Sequence, residues 1–255
     1  MATGAAHRLF VSGFRVGILE LQSPLAVRRA ASFAEAVYDG RTTVEGVVAV
    51  RTENAEAFRS LLSSCAGVPV AIDPTGEILS DVRPDVVLDA RMAKTNLGTK
   101  KSDAPCVIAL GPGFNASVDV HAVVETERGH DLGRVIWRGR SRPDSKMPYP
   151  IAGVSAERVL RAPAAGVFQS ERSIGTLVSK GDVVASVSGA PVIAAVSGLL
   201  RGLMRSGAPV SEGVKVGDID PRGEGVDTTK ISDKARAIGG GVLEAVLAHF
   251  AGGRT

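Results

Sequence analysis

Three short, continuous apolar runs mark the first half of the chain: Val68-Pro69-Val70-Ala71-Ile72, Val86-Val87-Leu88 and Cys106-Val107-Ile108-Ala109-Leu110. Runs of this length without polar alternation predict strands covered on both faces, as in a parallel sheet. Segments of helical spacing separate them. Ala2 to Ser12 predicts a helix, and Asn54 to Cys65 another, with Ala57, Phe58, Leu61 and Leu62 on one face. Arg15 to Glu20, Thr43 to Val50 and Arg134 to Trp137 predict further strands. This alternation predicts an α/β, Rossmann-like domain with a mainly parallel, doubly wound sheet over residues 1–140. The polar, proline-punctuated stretch from Arg138 to Pro150 serves as its boundary.

Beyond it the pattern changes to short β-segments with glycine turns, repeated at an offset of 32 residues. Ala162, Gly166, Gly175, Val178, Ser179, Gly181 and Val184 recur as Ala194, Gly198, Gly207, Val210, Ser211, Gly213 and Val216. Two copies of a unit too small to bury a core alone are expected to close on each other. The module, residues 157–223, resembles the β barrel-sandwich of lipoyl and biotinyl carriers. The hairpin that bears the modified lysine in such carriers reads Val187-Ser188-Gly189-Ala190-Pro191-Val192 here and has no lysine. No covalent biotin or lipoate is therefore expected. A C-terminal helix is predicted within residues 231–251, with Ser232 or Asp233 as N-cap. Its expected apolar face comprises Ile238, Val242, Leu243, Val246, Leu247 and Phe250.

Composition narrows the function classes. The 255 residues carry a net charge of only +3, and aromatic residues are 4%, too few for a base-stacking platform, so no nucleic-acid partner is expected. No run approaches the roughly 20 apolar residues of a membrane span. The N-terminus lacks the pattern of a secretory signal. Cys65 and Cys106 stand apart without metal-ligand spacing, as expected of reduced thiols in a cytoplasm. No metal site, Ser-His-Asp pattern, nucleophile elbow or Walker loop is present in the sequence, and no catalytic residue is assigned.

The candidate binding residues follow strands, where open α/β sheets receive ligands. Gly111, Gly113 and Phe114 follow the 106–110 run, and glycines there allow a phosphate or pterin close to the backbone. An ordinary tight turn would read the same way. Arg91 and Lys94 follow the 86–88 run and suit phosphate oxygens, or else make local ion pairs. Arg28 and Arg29 follow Pro24 on a predicted short helix, as an anion-binding pair or else as two solvated faces. Glu125, Arg128 and His130 share one short segment, suited to proton exchange or to a structural Glu–Arg pair. Glu20 ends a strand where a dinucleotide fold places its ribose-binding acid. Asp218 and Asp220 share a strand face, but Pro221 and Arg222 favour a strand-end turn with a salt bridge over a Mg²⁺ site.

Denser motifs span the chain. They include Glu20-Leu21, Pro24-Leu25-Ala26-Val27-Arg28-Arg29, Asp89-Ala90-Arg91-Met92-Ala93-Lys94 and Gly111-Pro112-Gly113-Phe114. Further along stand Glu125-Thr126, Arg128-Gly129-His130-Asp131-Leu132-Gly133, Gly217-Asp218-Ile219-Asp220-Pro221-Arg222-Gly223 and Ile231-Ser232-Asp233-Lys234-Ala235-Arg236. Together these resemble the accessory-protein family of the selenium-dependent molybdenum hydroxylase system, related to xanthine dehydrogenase accessory proteins. In that family the opening helix follows a strand and a Gly-x-Gly-Asp turn, so the resemblance implies that Met1 lies one strand late. Pro143-Asp144-Ser145-Lys146-Met147-Pro148 departs from the family's Asp-Thr-Gly-x-Pro, which alters any backbone contact made there. The resemblance implies a cytoplasmic maturation factor for a molybdenum hydroxylase client, with molybdopterin dinucleotide as cargo. Two alternatives stay open, an NAD(P)- or nucleotide-dependent enzyme and a non-catalytic docking protein. So does homo-oligomerisation.

Overall fold

The computed structural model describes residues 1–252, an α/β structure of parallel and antiparallel sheets with a C-terminal helix. The chain forms two compact units that are discontinuous in sequence. The first contains Met1–Leu21, Gly46–Ser145 and the chain from Ile231 onward; the second contains Gln22–Glu45 and Lys146–Lys230. Residues 22–45, inside the expected 1–140 domain, thus cluster with the later module, and the C-terminal helix clusters with the first unit. Among the described residues no helix is long and apolar enough to cross a membrane.

The first unit holds two parallel arrangements rather than one continuous sheet. In one, Val68–Ile72 lies between Ile18–Glu20 and Val47–Thr52, parallel to both. In the other, Val86–Asp89, Cys106–Leu110 and Ala122–Val124 are parallel, and Val135–Ile136 closes the edge antiparallel. No described strand bridges Ile18–Glu20 and Val86–Asp89, so each is an edge. The expected strand over 43–50 is interrupted, because Glu45 and Gly46 both turn into the left-handed region.

Burial explains the unbroken apolar runs. Cys106, Ile108 and Leu110 pack with Ala5 and Leu9 of the Ala2–Val11 helix and with Ile238, Val242 and Val246 of the Asp233–Phe250 helix. Val107 and Ala109 face the other way, onto Phe114, Ala116, Val120 and Val123. Where the two helices cross, a Cβ on Gly4 would lie 2.6 Å from the Ala235 carbonyl oxygen, and one on Gly239 would lie 2.7 Å from that of Gly4. The backbones therefore meet without side chains between them. The C-terminal helix is rotated from its expected face. Leu247 and Phe250 are exposed, and Ala245 joins the buried stripe instead.

The second unit contains two four-stranded antiparallel sheets, and neither closes on itself. Ala190–Ile193, Val183–Val187, Gly166–Gln169 and Pro209–Val210 form one. Leu177–Val178, Gly198–Leu203, Lys215–Asp220 and Val159–Arg161 form the other. The 32-residue repeat exchanges strands between them. Gly166–Gln169 and its copy Gly198–Leu203 lie in different sheets, as do Val183–Val187 and Lys215–Asp220. Equivalent hydrogen bonds link the copies: Gly181 N donates to Ala194 O at 2.8 Å and Gly213 N to Ala162 O at 2.9 Å. Neither copy can complete a sheet alone. They share one core, built on Leu160, Phe168, Val187, Leu200, Val216 and Ile219.

Candidate functional site

The carboxyl ends of the parallel strands Val86–Asp89, Cys106–Leu110 and Ala122–Val124 bring the loops of the first unit together. Asp89 ends the first strand, nearly buried. Arg91 donates to both of its carboxylate oxygens, and the Thr99 hydroxyl donates to Oδ2 at 2.6 Å. Burial raises the Asp89 carboxyl, but bonds from Arg91 and Thr99 more than offset this and hold it below its usual value. Arg91 is therefore first a structural partner, and its fork braces the loop that follows. In that loop Met92 and Lys94 both adopt left-handed backbone, a conformation costly for residues with a Cβ. Strain of this kind concentrates at binding loops.

Gly113 explains the loop's position. Its φ is +110°, and a Cβ there would lie 2.6 Å from Thr95 N and 2.7 Å from Lys94 C. The Gly111–Gly113 turn and the Lys94–Thr95 loop are in backbone contact that only glycine permits. Gly111 approaches the Thr126 side chain in the same way. Phe114 is 4% exposed and belongs to the core beneath the turn, so it anchors the loop rather than facing a ligand.

Glu125 follows the third strand and is 2% exposed. It accepts hydrogen bonds from the backbone N–H groups of Thr126 and Glu127 at 2.7 Å and of Arg142 at 2.8 Å. Arg128 pairs bidentately with Asp233, at 2.7 and 2.8 Å, and not with Glu125. His130 is exposed, while Glu125 is enclosed and occupied by backbone donors. The Glu–His proton exchange considered from sequence is not assembled. Lys94 is paired with Asp144.

Sequence reasoning missed Lys234, in the first turn of the Asp233–Phe250 helix just after its Ser232 cap, where the hydroxyl accepts from Ala235 N at 3.2 Å. Burial, then the neighbouring Arg128 charge, lowers its ammonium below the ordinary lysine value, against the pull of Glu127, Glu125 and Asp144. Among the described residues Lys234 has no ion pair. A lysine in a helix's first turn opposes the helix dipole, and that mismatch was the available signal. Ser141 was missed as well. It is 7% exposed, its hydroxyl has no hydrogen-bond partner among the described residues, and the next residue, Arg142, donates to Glu125.

The remaining candidates lie elsewhere. Glu20, at the end of its strand, accepts from Leu21 N, and burial raises its carboxyl. Arg28 and Arg29 belong to the second unit. Arg28 pairs with Asp218, and Arg29 binds Glu35 and the Leu203 carbonyl. Among the described residues no three His, Cys, Asp or Glu side chains converge as a metal site.

Over 248 residues the chain is 48% identical to the uncharacterized protein YqeB of Escherichia coli K12, spanning 97% of this chain and 46% of that protein. The chain is similar to that protein across this span. It covers about half the length of that curated relative. No protein-family model matches. Likeness to solved structures is slight. The apo ectoine-utilization protein EutE (DoeB) of Ruegeria pomeroyi is 23% identical over 33% of this chain and 28% of that one, with a TM-score of 0.23. An aspartoacylase family protein from Mesorhizobium loti is 22% identical over 25% of this chain and 23% of that one, also with a TM-score of 0.23.

Proposed function

We propose that the chain is an accessory factor in molybdenum hydroxylase maturation, and that the carboxyl ends of the Val86–Asp89, Cys106–Leu110 and Ala122–Val124 strands hold the phosphates of a molybdopterin dinucleotide cargo. One observation carries this reading: three loops converge there with a backbone approach that only Gly113 permits, beside Lys234, a lysine without an ion pair among the described residues. Lysine and close-approaching backbone suit phosphate oxygens at a strand's carboxyl end. The orphaned Ser141 hydroxyl adds an unused polar group next to Glu125 and Arg142. Lys94 and Arg128 stand by, each held by a carboxylate, Asp144 and Asp233, that an incoming phosphate would displace. The antiparallel module is then a barrel-sandwich-like scaffold without a covalent handle, since its Val183–Val187/Ala190–Ile193 hairpin turns on Ser188 and Gly189.

The test is mass spectrometry of small molecules released from the gently purified protein. A molybdopterin species that is retained by the wild type and lost in Lys234→Gln, with folding preserved, is expected. A nicotinamide nucleotide in its place would overturn cargo binding in favour of an enzyme. Retention undiminished in Lys234→Gln would remove the site.

A further inference from the structure

The antiparallel module holds a second concentration of charge. In the Lys215–Asp220 strand Ile219 points into the core, and Asp218 and Asp220 occupy the opposite face, both side chains almost wholly buried. Three cations converge on Asp218 Oδ2: Arg28 at 2.7 Å, Lys215 at 3.0 Å and Arg158 at 3.6 Å. Asp220 receives Arg201 at 3.0 Å and Arg222 at 2.8 Å. Five cations thus gather on two carboxylates.

Local backbone geometry builds the cluster. Opposite Lys215–Asp220, the register passes from Leu200↔Ile219 to Gly202↔Asp218, so Arg201 is the extra residue of a β-bulge. Bulges re-aim side chains, and this one turns Arg201 toward Asp220. Gly202 lets Asp218 approach, since a Cβ there would lie 2.5 Å from Oδ1 and 3.1 Å from the Val27 carbonyl oxygen. Oδ1 itself has no donor among the described residues, so the cations all gather on the other oxygen.

The crowding is felt by the cations. Burial, then the nearby Arg28 charge, lowers the Arg201 guanidinium. Burial, with Arg28 and Arg158 adding, lowers the Lys215 ammonium against the pull of Asp218. Among the described residues the Arg201 guanidinium donates once, to Asp220, and the Arg28 guanidinium once, to Asp218, which leaves N–H groups on both forks. The Arg28 and Lys215 side chains keep 33% and 36% of their surface exposed, so an incoming group can reach them.

We propose that Arg28, Arg201 and Lys215 form an anion site that binds a phosphoryl dianion, either free phosphate or the terminal phosphate of a nucleotide. A dianion can take up the spare N–H groups of Arg28 and Arg201, and its oxygens match planar guanidinium forks. All three residues belong to the second unit, whereas the parallel-strand loops belong to the first.

The test is calorimetric titration of the intact chain with inorganic phosphate and, separately, with AMP, at fixed ionic strength. Saturable binding is expected, weakened roughly tenfold or more in Arg201→Gln, as loss of a charge-assisted donor requires. Arg201→Lys, which keeps the charge and loses the fork, should fall between. Circular dichroism melts establish that each variant is folded. Lys180→Gln, an equal charge change at an exposed turn of the same module, should bind as the wild type. Tighter binding of AMP than of phosphate would identify a nucleotide, and equal binding the free ion. Absence of saturable binding by both probes would overturn the proposal. So would wild-type affinity in Arg201→Gln, or equal losses in Arg201→Gln and Lys180→Gln.

Discussion

The two units handle charge in opposite ways. At the parallel strands each cation that follows a strand has a carboxylate close by: Arg91 has Asp89, Lys94 has Asp144 and Arg128 has Asp233. In the antiparallel module several cations share one carboxylate, and Asp218 draws three of them to a single oxygen. The first arrangement can be undone pair by pair, because most of its partners reach solvent. The second cannot, because the shared acid is buried and its loss strips a partner from three cations at once. A loop site thus tolerates exchange of partners, whereas a sheet-face cluster behaves as one unit.

The sharpest way to break this comparison is to neutralise the acids in turn. Asp218→Asn should destabilise the chain by about 3–5 kcal/mol in urea unfolding, the range expected when a buried pair loses one member. Asp89→Asn should cost less, about 1–3 kcal/mol, because Arg91 is 43% exposed and can rehydrate. Equal losses would erase the distinction.

A second probe targets backbone contact. Gly113→Ala forces a Cβ against Lys94 and Thr95 at φ +110° and should cost about 2 kcal/mol or more. Under the cargo reading it should also abolish ligand retention. Unchanged thermal stability would show that the loops are not tightly apposed.

Acid provides a third. Burial raises the Asp218 carboxyl, but Lys215 and Arg28 outweigh it and hold it at about 2, against an ordinary 3.8. A carboxyl depressed in the folded state stabilises fully above its unfolded value and loses that contribution as pH falls toward the folded one. About 2 kcal/mol should therefore disappear between roughly pH 4 and pH 2. Asp218→Asn should remove that part of the acid dependence.

The smallest effect concerns the thiols. Burial pushes Cys106 up to about 11, while Cys65 is exposed at the end of its helix. Native protein at pH 8 should yield one rapidly titrating thiol, and denatured protein two.

The strands of the first unit were legible because burial on both faces writes an unbroken apolar run, and 68–72 and 106–110 stand where that pattern puts them. The helix over 54–65 was legible from the spacing of Ala57, Phe58, Leu61 and Leu62, and the structure adds its cap, Asn54 accepting from Ala57 N at 2.9 Å. The division into two sheets was not legible, because edge pairing is a long-range choice that no local period records. Nor was the rotation of the last helix, whose face is set by glycine contact with Gly4 rather than by its largest residues. At the site, Arg91 and Gly113 were recognisable by position after strands. The Asp89 and Thr99 side chains that hold Arg91 are local, but the contact of Gly113 is with backbone atoms that carry no side-chain identity, and Lys234 comes from a distant part of the chain. That the two copies of the repeat would share a core was implied by its period, but the exchange of strands between two sheets was not.

The order of segments along the chain has a consequence for synthesis. The core beneath the Cys106–Leu110 strand needs Ile238, Val242 and Val246, so this unit is completed only after every residue of the other has been made. All residues of the antiparallel module emerge before those of the closing helix. Folding of this chain should therefore run against the usual N-to-C order. The half-made parallel sheets then wait, open, until Ile238, Val242 and Val246 are made.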